Sequence, residues 1–571
     1  MGRNQFKIGA DVHRLRIDDY LDFLARGEWL FLGDTAAGVS QIPPGIPPCI
    51  PSSQNPGCDA SSLILTQLLA GVPDAATAVS GNTYNSLRSH GVSTYVQDDI
   101  HVVPRFLLNV GLRYEYNSPP VEALNRFSLP NLSSNSATCT PVPDCQFTQA
   151  GTDGVPRAGY SSTYTNFGPR LGIAWRPLKS ERWVIRSAYG IFYDSSIANI
   201  NIFPRINPPF YDLAFYAQNS NAPPLFTSQD ILLQPGGLVQ DNMISPKFRD
   251  GYMQQWNADL QYEVLPNWMV DAAYVGSKGT HLNDVLDLNQ QDPATGVFPY
   301  PQFASILYVE SNANSSYNSL QLRSEKRTQH GLALLLAYTY SKSFDDISSV
   351  FGGSVGSGLP QNSRDLVADH GPSDFNAIHR FSGSFVYDLP FQQMWKNGPS
   401  RLLNNWQASG IVAAQTGSPF TVVLAGGASS AAAAFGNPAR PNLVGDPVQA
   451  SSIAGCPSQV KIPQSWFNTC AFGLPPAGVV PGTFDFGNEG RNILTGPGYT
   501  NLDFGLSKSM ALRTENHRLM LRGDFFNLFN HPNFDIPAHV LGGSNFGKIL
   551  SANAYGNKPP RQIQLSARYV F

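Results

Sequence analysis

What this sequence lacks narrows its reading first. No run approaches eighteen apolar residues, the longest candidate being Leu332 to Ala337, so a membrane-spanning helix is excluded. Charge is scarce: Asp, Glu, Lys and Arg make up 14% of the chain, against roughly 25% in an average soluble domain. The net charge of −3 leaves no basic field, so nucleic acid is excluded as a partner. No HExxH, GxSxG, P-loop or GxGxxG in a strand-turn-helix setting stands out, and the ten histidines are scattered. No catalytic set, metal site or cofactor is therefore read. The first ten residues lack the apolar core of an export signal and already alternate as a strand, Phe6, Ile8, Ala10 and Val12 against Lys7, Gly9 and Asp11. An exported protein needs such a signal, and the expectation is that the chain begins partway through a longer one.

What the sequence does have is turn formers, aromatics and alternation. Gly (51) and Pro (45) make up about a sixth of the chain, and aromatics reach 11%. From Arg561 to Phe571, Ile563, Leu565, Ala567, Tyr569 and Phe571 fall on one side, and Gln562, Gln564, Ser566 and Arg568 on the other. A period of two marks a β-strand with one apolar and one polar face. About ten residues is the length of a tilted strand crossing hydrocarbon. A soluble sandwich would show the same alternation, so the connections carry the decision.

Those connections sort by length. The strands at 93–100 and 106–116 join by a short turn containing Pro104, and a polar loop of nearly fifty residues follows. Short turns recur at 177–181, 265–267 and 328–331, and long loops at 117–165, 195–250 and 416–497. Outer-membrane barrels sort loops in this way, with short turns on the periplasmic side and long loops outside. About thirteen strands are read from residue 92 onward, with another at 4–13 and a weaker one at 28–32; 63–70 reads as a short helix. The expected fold is an all-β, antiparallel transmembrane barrel with long extracellular loops. Trp175, Trp183, Tyr262 and Trp268 beside the short turns are expected to form an aromatic girdle. The polar stripe carries Arg113, Glu115, Arg170, Arg186, Asp259, Glu263, Asp271, Arg323, Glu325, Arg522 and Asp524, expected to face an enclosed lumen, where they can pair or hold a plug. Asp98/Asp99 and Asp345/Asp346 are acidic pairs read as solvated or paired with arginine. Cysteines occur as close pairs in Pro-, Ser- and Asn-rich stretches, Cys49/Cys58, Cys139/Cys145 and Cys456/Cys470, for which local loop disulfides fit better than free thiols. Phe210, Tyr211, Phe215 and Tyr216 are loop aromatics that could stack on a ligand or pack the loops. Ala428–Phe435 is low in complexity.

Several stretches carry a family resemblance. Ser93-Thr-Tyr-Val-Gln-Asp-Asp99 with Leu108-Asn-Val-Gly-Leu-Arg-Tyr114 resembles a mid-barrel hairpin of TonB-dependent outer-membrane receptors. Ala337-Tyr-Thr-Tyr-Ser-Lys-Ser343, Arg440-Pro-Asn-Leu-Val-Gly-Asp446 and Gly490-Arg-Asn-Ile-Leu-Thr-Gly-Pro497 do likewise. Arg522-Gly-Asp-Phe-Phe-Asn-Leu-Phe-Asn-His531 and the closing Tyr569-Val-Phe571 are the most characteristic, and the set resembles the Oar-like branch. The resemblance covers nearly the whole chain, read as one barrel domain over 1–571, but no signal peptide, TonB-contacting box or plug is found. It implies about fifteen strands of a barrel of about 22, in the outer membrane of a Gram-negative bacterium. The implied partners are outer-membrane lipid, a plug and through it the TonB energising complex, the barrel-assembly machinery and an extracellular ligand. The implied function is uptake of a bulky nutrient (glycan, peptide or metal chelate) without enzymatic activity, Tyr569 and Phe571 marking the assembly strand. The alternatives are a structural or adhesive barrel displaying loops, or a secreted β-rich glycan-binding protein.

Overall fold

The computed structural model describes residues 3–20, 27–31, 75–82, 84–133, 147–194, 203–217, 238–301, 305–329, 331–350, 358–424, 437–479, 484–512, 517–552 and 560–571, with a few isolated positions between. Fourteen strands follow one another as an antiparallel meander. They are β1 (Asn4–Tyr20), β2 (Tyr84–Val103), β3 (Phe106–Asn117), β4 (Phe167–Trp175), β5 (Trp183–Tyr193), β6 (Tyr252–Leu265) and β7 (Trp268–Asp287). The series continues with β8 (Ser305–Gln329), β9 (Leu332–Asp345), β10 (His379–Leu389), β11 (Trp406–Gln415), β12 (Tyr499–Ala511), β13 (Arg518–Phe526) and β14 (Gln562–Val570). Each pairs with the next, from β1 on β2 through to β13 on β14. Among the described residues β1 and β14 each have a single neighbour, so the wall is an open sheet.

The connections alternate without exception. Residues 104–105, 176–182, 266–267, 330–331, 390–405 and 512–517 close one rim. The strand ends joined across residues 21–83, 118–166, 194–251, 288–304, 346–378, 416–498 and 527–561 lie at the other. Pro266–Asn267 shows how a two-residue turn is made: proline lacks the donor a ladder would need, and Asn267 takes φ 65°. The strand expected at 28–32 forms as Glu28–Leu30, but it is not part of the wall. It pairs with Ala75–Gly81, which pairs with Tyr211–Ala217 and then Leu238–Ile244, and the last lies parallel on the top of β8. The wall strand that starts at Trp406 ends at Gln415, before the long loop. Ile64, Leu65 and Gln67–Leu69 are helical. Ala428–Phe435 lies outside the described residues.

Register fixes which residues share a face. Directly opposed residues point the same way, so Phe106, Leu108, Val110, Leu112 and Tyr114 align with Trp175, Ile173, Leu171, Pro169 and Phe167. Carried round the sheet, this apolar stripe includes Ile8 on β1, Leu260 on β6, Leu320 and Leu322 on β8, Leu521 on β13 and Ile563 and Leu565 on β14. It is not covered. Ile8 is 79% exposed, Leu112 44% and Leu565 78%. Among the described residues every buried apolar cluster lies instead in the long-loop layer and the strand ends that enter it. One joins Tyr160, Ile244, Phe248, Val285, Leu307, Val309 and Leu359. Another joins Phe420, Val422, Phe467, Phe472 and Leu494. No second sheet stacks on the wall among the described residues, the remaining sheets being two-stranded. No described helix is long and apolar enough to cross a membrane.

Candidate functional site

The face opposite the apolar stripe is polar and concave. A hollow of about 500 Å³ runs across seven strands, from Gln97 on β2 through Asn109, Arg170, Gly190 and Asn257 to Tyr317 on β8. All eleven charged residues singled out in the sequence alternate onto this face. They form short local ladders. Arg186 on β5 reaches Asp259 on β6 at 3.5 Å and donates to Gln261 at 3.0 Å. Arg323 on β8 lies 3.9 Å from Asp271 on β7 and 2.5 Å from Glu325. Arg522 pairs with Asp524 at 2.8 Å, and Arg113 with Glu115. Three of these pairs repeat one arrangement, arginine followed two residues later by a carboxylate on the same face of the same strand. That spacing is the shortest at which two strand side chains point together. Arg170 differs: its guanidinium lies 4.7 Å from the centre of the Phe192 ring. Glu263 makes no ion pair among the described residues.

Sequence reasoning missed two features of this face. Lys7 pairs with Asp99 at 2.5 Å, and Asp99 also accepts from Gln97 and Asn109. Its neighbour Asp98 opposes Phe6 and Val110 on the other face, near the short-turn rim, where Asn4 donates to it at 2.6 Å. The second feature is an apolar island. Leu335, Val386 and Ile411, on β9, β10 and β11, alternate onto the polar face and are 38%, 41% and 59% exposed. On β9 Ala333, Leu335 and Ala337 make the inner face as apolar as the outer, while on β10 and β11 Val386 and Ile411 stand among polar residues such as Ser384 and Ser409.

Aromatic residues ring both ends of the exposed stripe. At the short-turn rim Trp183 stacks on Tyr262 with ring centres 4.2 Å apart, and Lys326 lies 5.7 Å from the Trp268 ring, whose Nε1 donates to Ser324. Trp175 sits on the same face, 42% exposed. Trp406 joins this rim unannounced, donating to the Leu402 carbonyl with Lys508 beside its ring. About ten residues up the strands a second row appears: Tyr114 against Phe167, Tyr193 against Tyr252, and Tyr340 against His379.

The long loops fold together above this second row. Their anchor is Arg491, 7% exposed at the side chain, whose Nε donates to the Asp369 carbonyl at 2.7 Å and Nη2 to the Asp345 carbonyl at 2.6 Å. It also pairs with the Asp345 carboxylate and lies 3.6 Å from Asp374. Asp345 thus finds an arginine, as expected, but one from a loop rather than the wall, while Asp346 meets His370 at 2.7 Å. Buried Arg440 pairs with Asp369 at 3.1 Å. Burial raises the Asp369 carboxyl despite both arginines, and it pushes Glu489 up to about 8 although Val422 donates to it and Arg440 is near. Arg491, Arg440, Asp346, Asp369 and Asp374 line a cavity of about 230 Å³ together with Asp284, Asn314 and Leu359. Tyr211 is wholly buried among the loops rather than presented to solvent. No cluster able to hold a metal ion occurs among the described residues. Cys456 and Cys470 form a disulfide within the 416–498 loop; Cys49, Cys58, Cys139 and Cys145 lie outside the described residues.

Comparison with known proteins agrees with this architecture. No curated protein sequence matches the chain. Among solved structures it is similar to the outer membrane transporter YddB of Escherichia coli, with 12% identity and a TM-score of 0.45 over 87% of this chain and 49% of that one. It is also similar to the ferripyoverdine receptor of Pseudomonas aeruginosa, with 11% identity and a TM-score of 0.40 over 86% and 40%. A third is the siderophore receptor PiuA of Acinetobacter baumannii, with 12% identity and a TM-score of 0.39 over 87% and 44%. The chain spans about half the length of these structures or less. The model of the outer membrane beta barrel domain matches residues 1–564. With its exposed apolar stripe, concave polar face and sorted loops, this chain belongs to the outer membrane beta barrel domain family.

Proposed function

We propose that the chain forms the wall and outer vestibule of a TonB-dependent, Oar-like transporter that takes up a bulky nutrient and performs no catalysis. The observation that carries this is the polar face. A wall enclosing only water needs polar residues, whereas Leu335, Val386 and Ile411 leave an apolar island exposed among them. Such an island costs free energy in water and gains it against a folded body. On this reading the body is a plug, held by the island and by Arg113, Glu115, Arg170, Arg186, Asp259, Glu263, Asp271, Arg323, Glu325, Arg522 and Asp524. Through it the TonB complex would deliver energy from the inner membrane. Trp175, Trp183, Tyr262 and Trp268 would sit at the periplasmic headgroups. Tyr569 and Phe571 would be read by the barrel-assembly machinery.

Growth of a strain lacking the gene, compared with its parent on glycans, peptides and metal chelates as sole sources, tests the proposal. A defect on one class that is reproduced by loss of TonB supports it. A defect in surface attachment alone, indifferent to TonB, overturns it in favour of an adhesive barrel. Replacing Ile411 with Glu separates the roles further: uptake falls while the protein still reaches the outer membrane.

A further inference from the structure

The outward face of the wall changes character abruptly at its upper rim. On β1 the apolar stripe runs Phe6, Ile8, Ala10, Val12 and then becomes Arg14 and Arg16; on β2 it runs Val96, Thr94, Val92 and then becomes His90 and Arg88. Register places Arg14 opposite His90 and Arg16 opposite Arg88. Three arginines and His90 therefore leave the sheet on the same side as the exposed hydrocarbon-facing stripe, within two to four residues of its end. At about 3.3 Å per residue, that is about 7 to 13 Å of strand rise. Tyr116, opposite Val92, marks the upper aromatic row here and stacks on Tyr164 with ring centres 5.2 Å apart.

A fourth arginine comes from the adjacent loop. Arg157, fixed by donating to the Glu122 carbonyl at 3.0 Å, lines with Arg14, Arg88, His90 and Tyr164 an open groove of about 700 Å³. One carboxylate shares the patch: Asp18 pairs with Arg88 at 2.8 Å and accepts from Ser86 at 2.5 Å. Arg14 and Arg16 make no ion pair among the described residues and are exposed. Like charges placed directly opposite each other on a sheet are destabilising unless an anion joins them. Asp18 pairs with Arg88 and its charge also acts on Arg16, while Arg14 and Arg157 make no ion pair among the described residues.

We infer that this groove binds the phosphate groups of a glycolipid in the outer leaflet. Three observations fix the chemistry. Arg14, Arg16 and Arg88 face outward, so their occupant lies beside the wall and not within it. They stand directly above the aromatic row, the depth at which headgroups meet acyl chains. Arginine forks and a tyrosine ring suit phosphate on a sugar: bidentate N–H donors take the anion, and the exposed Tyr164 face offers a surface to the ring carbons.

Native mass spectrometry of the detergent-solubilised protein tests this, with bis-phosphorylated lipid A, its monophosphorylated form, phosphatidylethanolamine and inorganic phosphate as probes. The bis-phosphorylated probe is expected to bind tightest, the monophosphorylated form several-fold weaker, and phosphatidylethanolamine and inorganic phosphate at least tenfold weaker than either. The double substitution Arg14→Gln, Arg157→Gln touches no wall ion pair and is expected to weaken the bis-phosphorylated probe by on the order of tenfold or more, since each basic group near an anionic surface contributes about fivefold. Lys326→Gln, an outward cation at the opposite rim, is expected to change nothing. Heat-modifiable gel mobility confirms that each variant is folded. Equal binding of all the lipids, unaltered binding by the folded double variant, or binding of inorganic phosphate as tight as that of lipid A would each overturn the assignment.

Discussion

The wall and the loop layer of this protein are held together by opposite means. In the wall the apolar side chains are exposed and the backbone ladder supplies the order; burial there has to come from lipid. In the loop layer irregular segments bury Phe127, Phe420, Phe467 and Ile306 almost completely and neutralise buried arginines with carboxylates, as a soluble domain does. One chain thus folds by two solvents. The outer membrane solvates its strands, and water surrounds a compact cap that the strands hold up.

The difference is best broken at Arg491. Its substitution by Ala leaves Asp345 buried without its partner, a change that typically costs about 3–5 kcal/mol. The loop layer is expected to lose protection in hydrogen exchange while the wall strands keep theirs. Next in size is the reverse experiment. Leu260→Arg, on the exposed stripe, is expected to cost about 2–4 kcal/mol in folding into vesicles, measured by urea titration. Ser384→Arg, on the polar face, is expected to cost much less. Equal costs on the two faces would abolish the assignment of lipid to one of them.

Glu489 gives a pH-dependent comparison. Its carboxyl is raised by burial to about 8 in the folded chain, against about 4.5 unfolded. The folded state therefore binds more protons between those values, and the contribution of Glu489 to loop-layer stability is fully present below about pH 4.5 and is lost as pH rises through about 8. Glu489→Gln is expected to flatten that part of the profile and to raise loop-layer stability at pH 8, read by hydrogen exchange. The wall's exchange rates, corrected for intrinsic chemistry, should not follow. The smallest effect belongs to the polar ladders. Arg323→Gln removes a half-exposed ion pair and is expected to cost at most about 1 kcal/mol, so a large loss of uptake with little loss of stability would assign Arg323 to the plug and not to the wall.

How much of this was legible in the sequence follows the same division. The wall was readable because alternation is local: Phe106 to Tyr116 declares its two faces within eleven residues. Sorting of the loops placed the rims, and all fourteen wall strands were among the segments read. Glu28–Leu30 alternates like a wall strand but is only three residues long and pairs with Ala75–Thr77 rather than with β1 or β2. The loop layer was not readable, because its contacts have no period. Arg491 reaches Asp345 across 146 residues, and Gln361 donates to Gly487 across 126. The apolar island at Leu335, Val386 and Ile411 was hidden for other reasons: β9 is apolar on both sides, so parity says little there, and Val386 and Ile411 are single apolar residues on otherwise mostly polar faces.

The two aromatic rows also set a length. Trp183 and Tyr193 lie ten residues apart on one strand, as do Tyr252 and Tyr262 on the next. At about 3.3 Å per residue and a tilt near 40°, ten residues span about 25 Å along the membrane normal. That is short of the roughly 30 Å of an average hydrocarbon layer. A bilayer of ordinary thickness would have to pinch around this protein, and the strain would favour crowding of copies or their retention in thin membranes, the bacterial outer membrane among them.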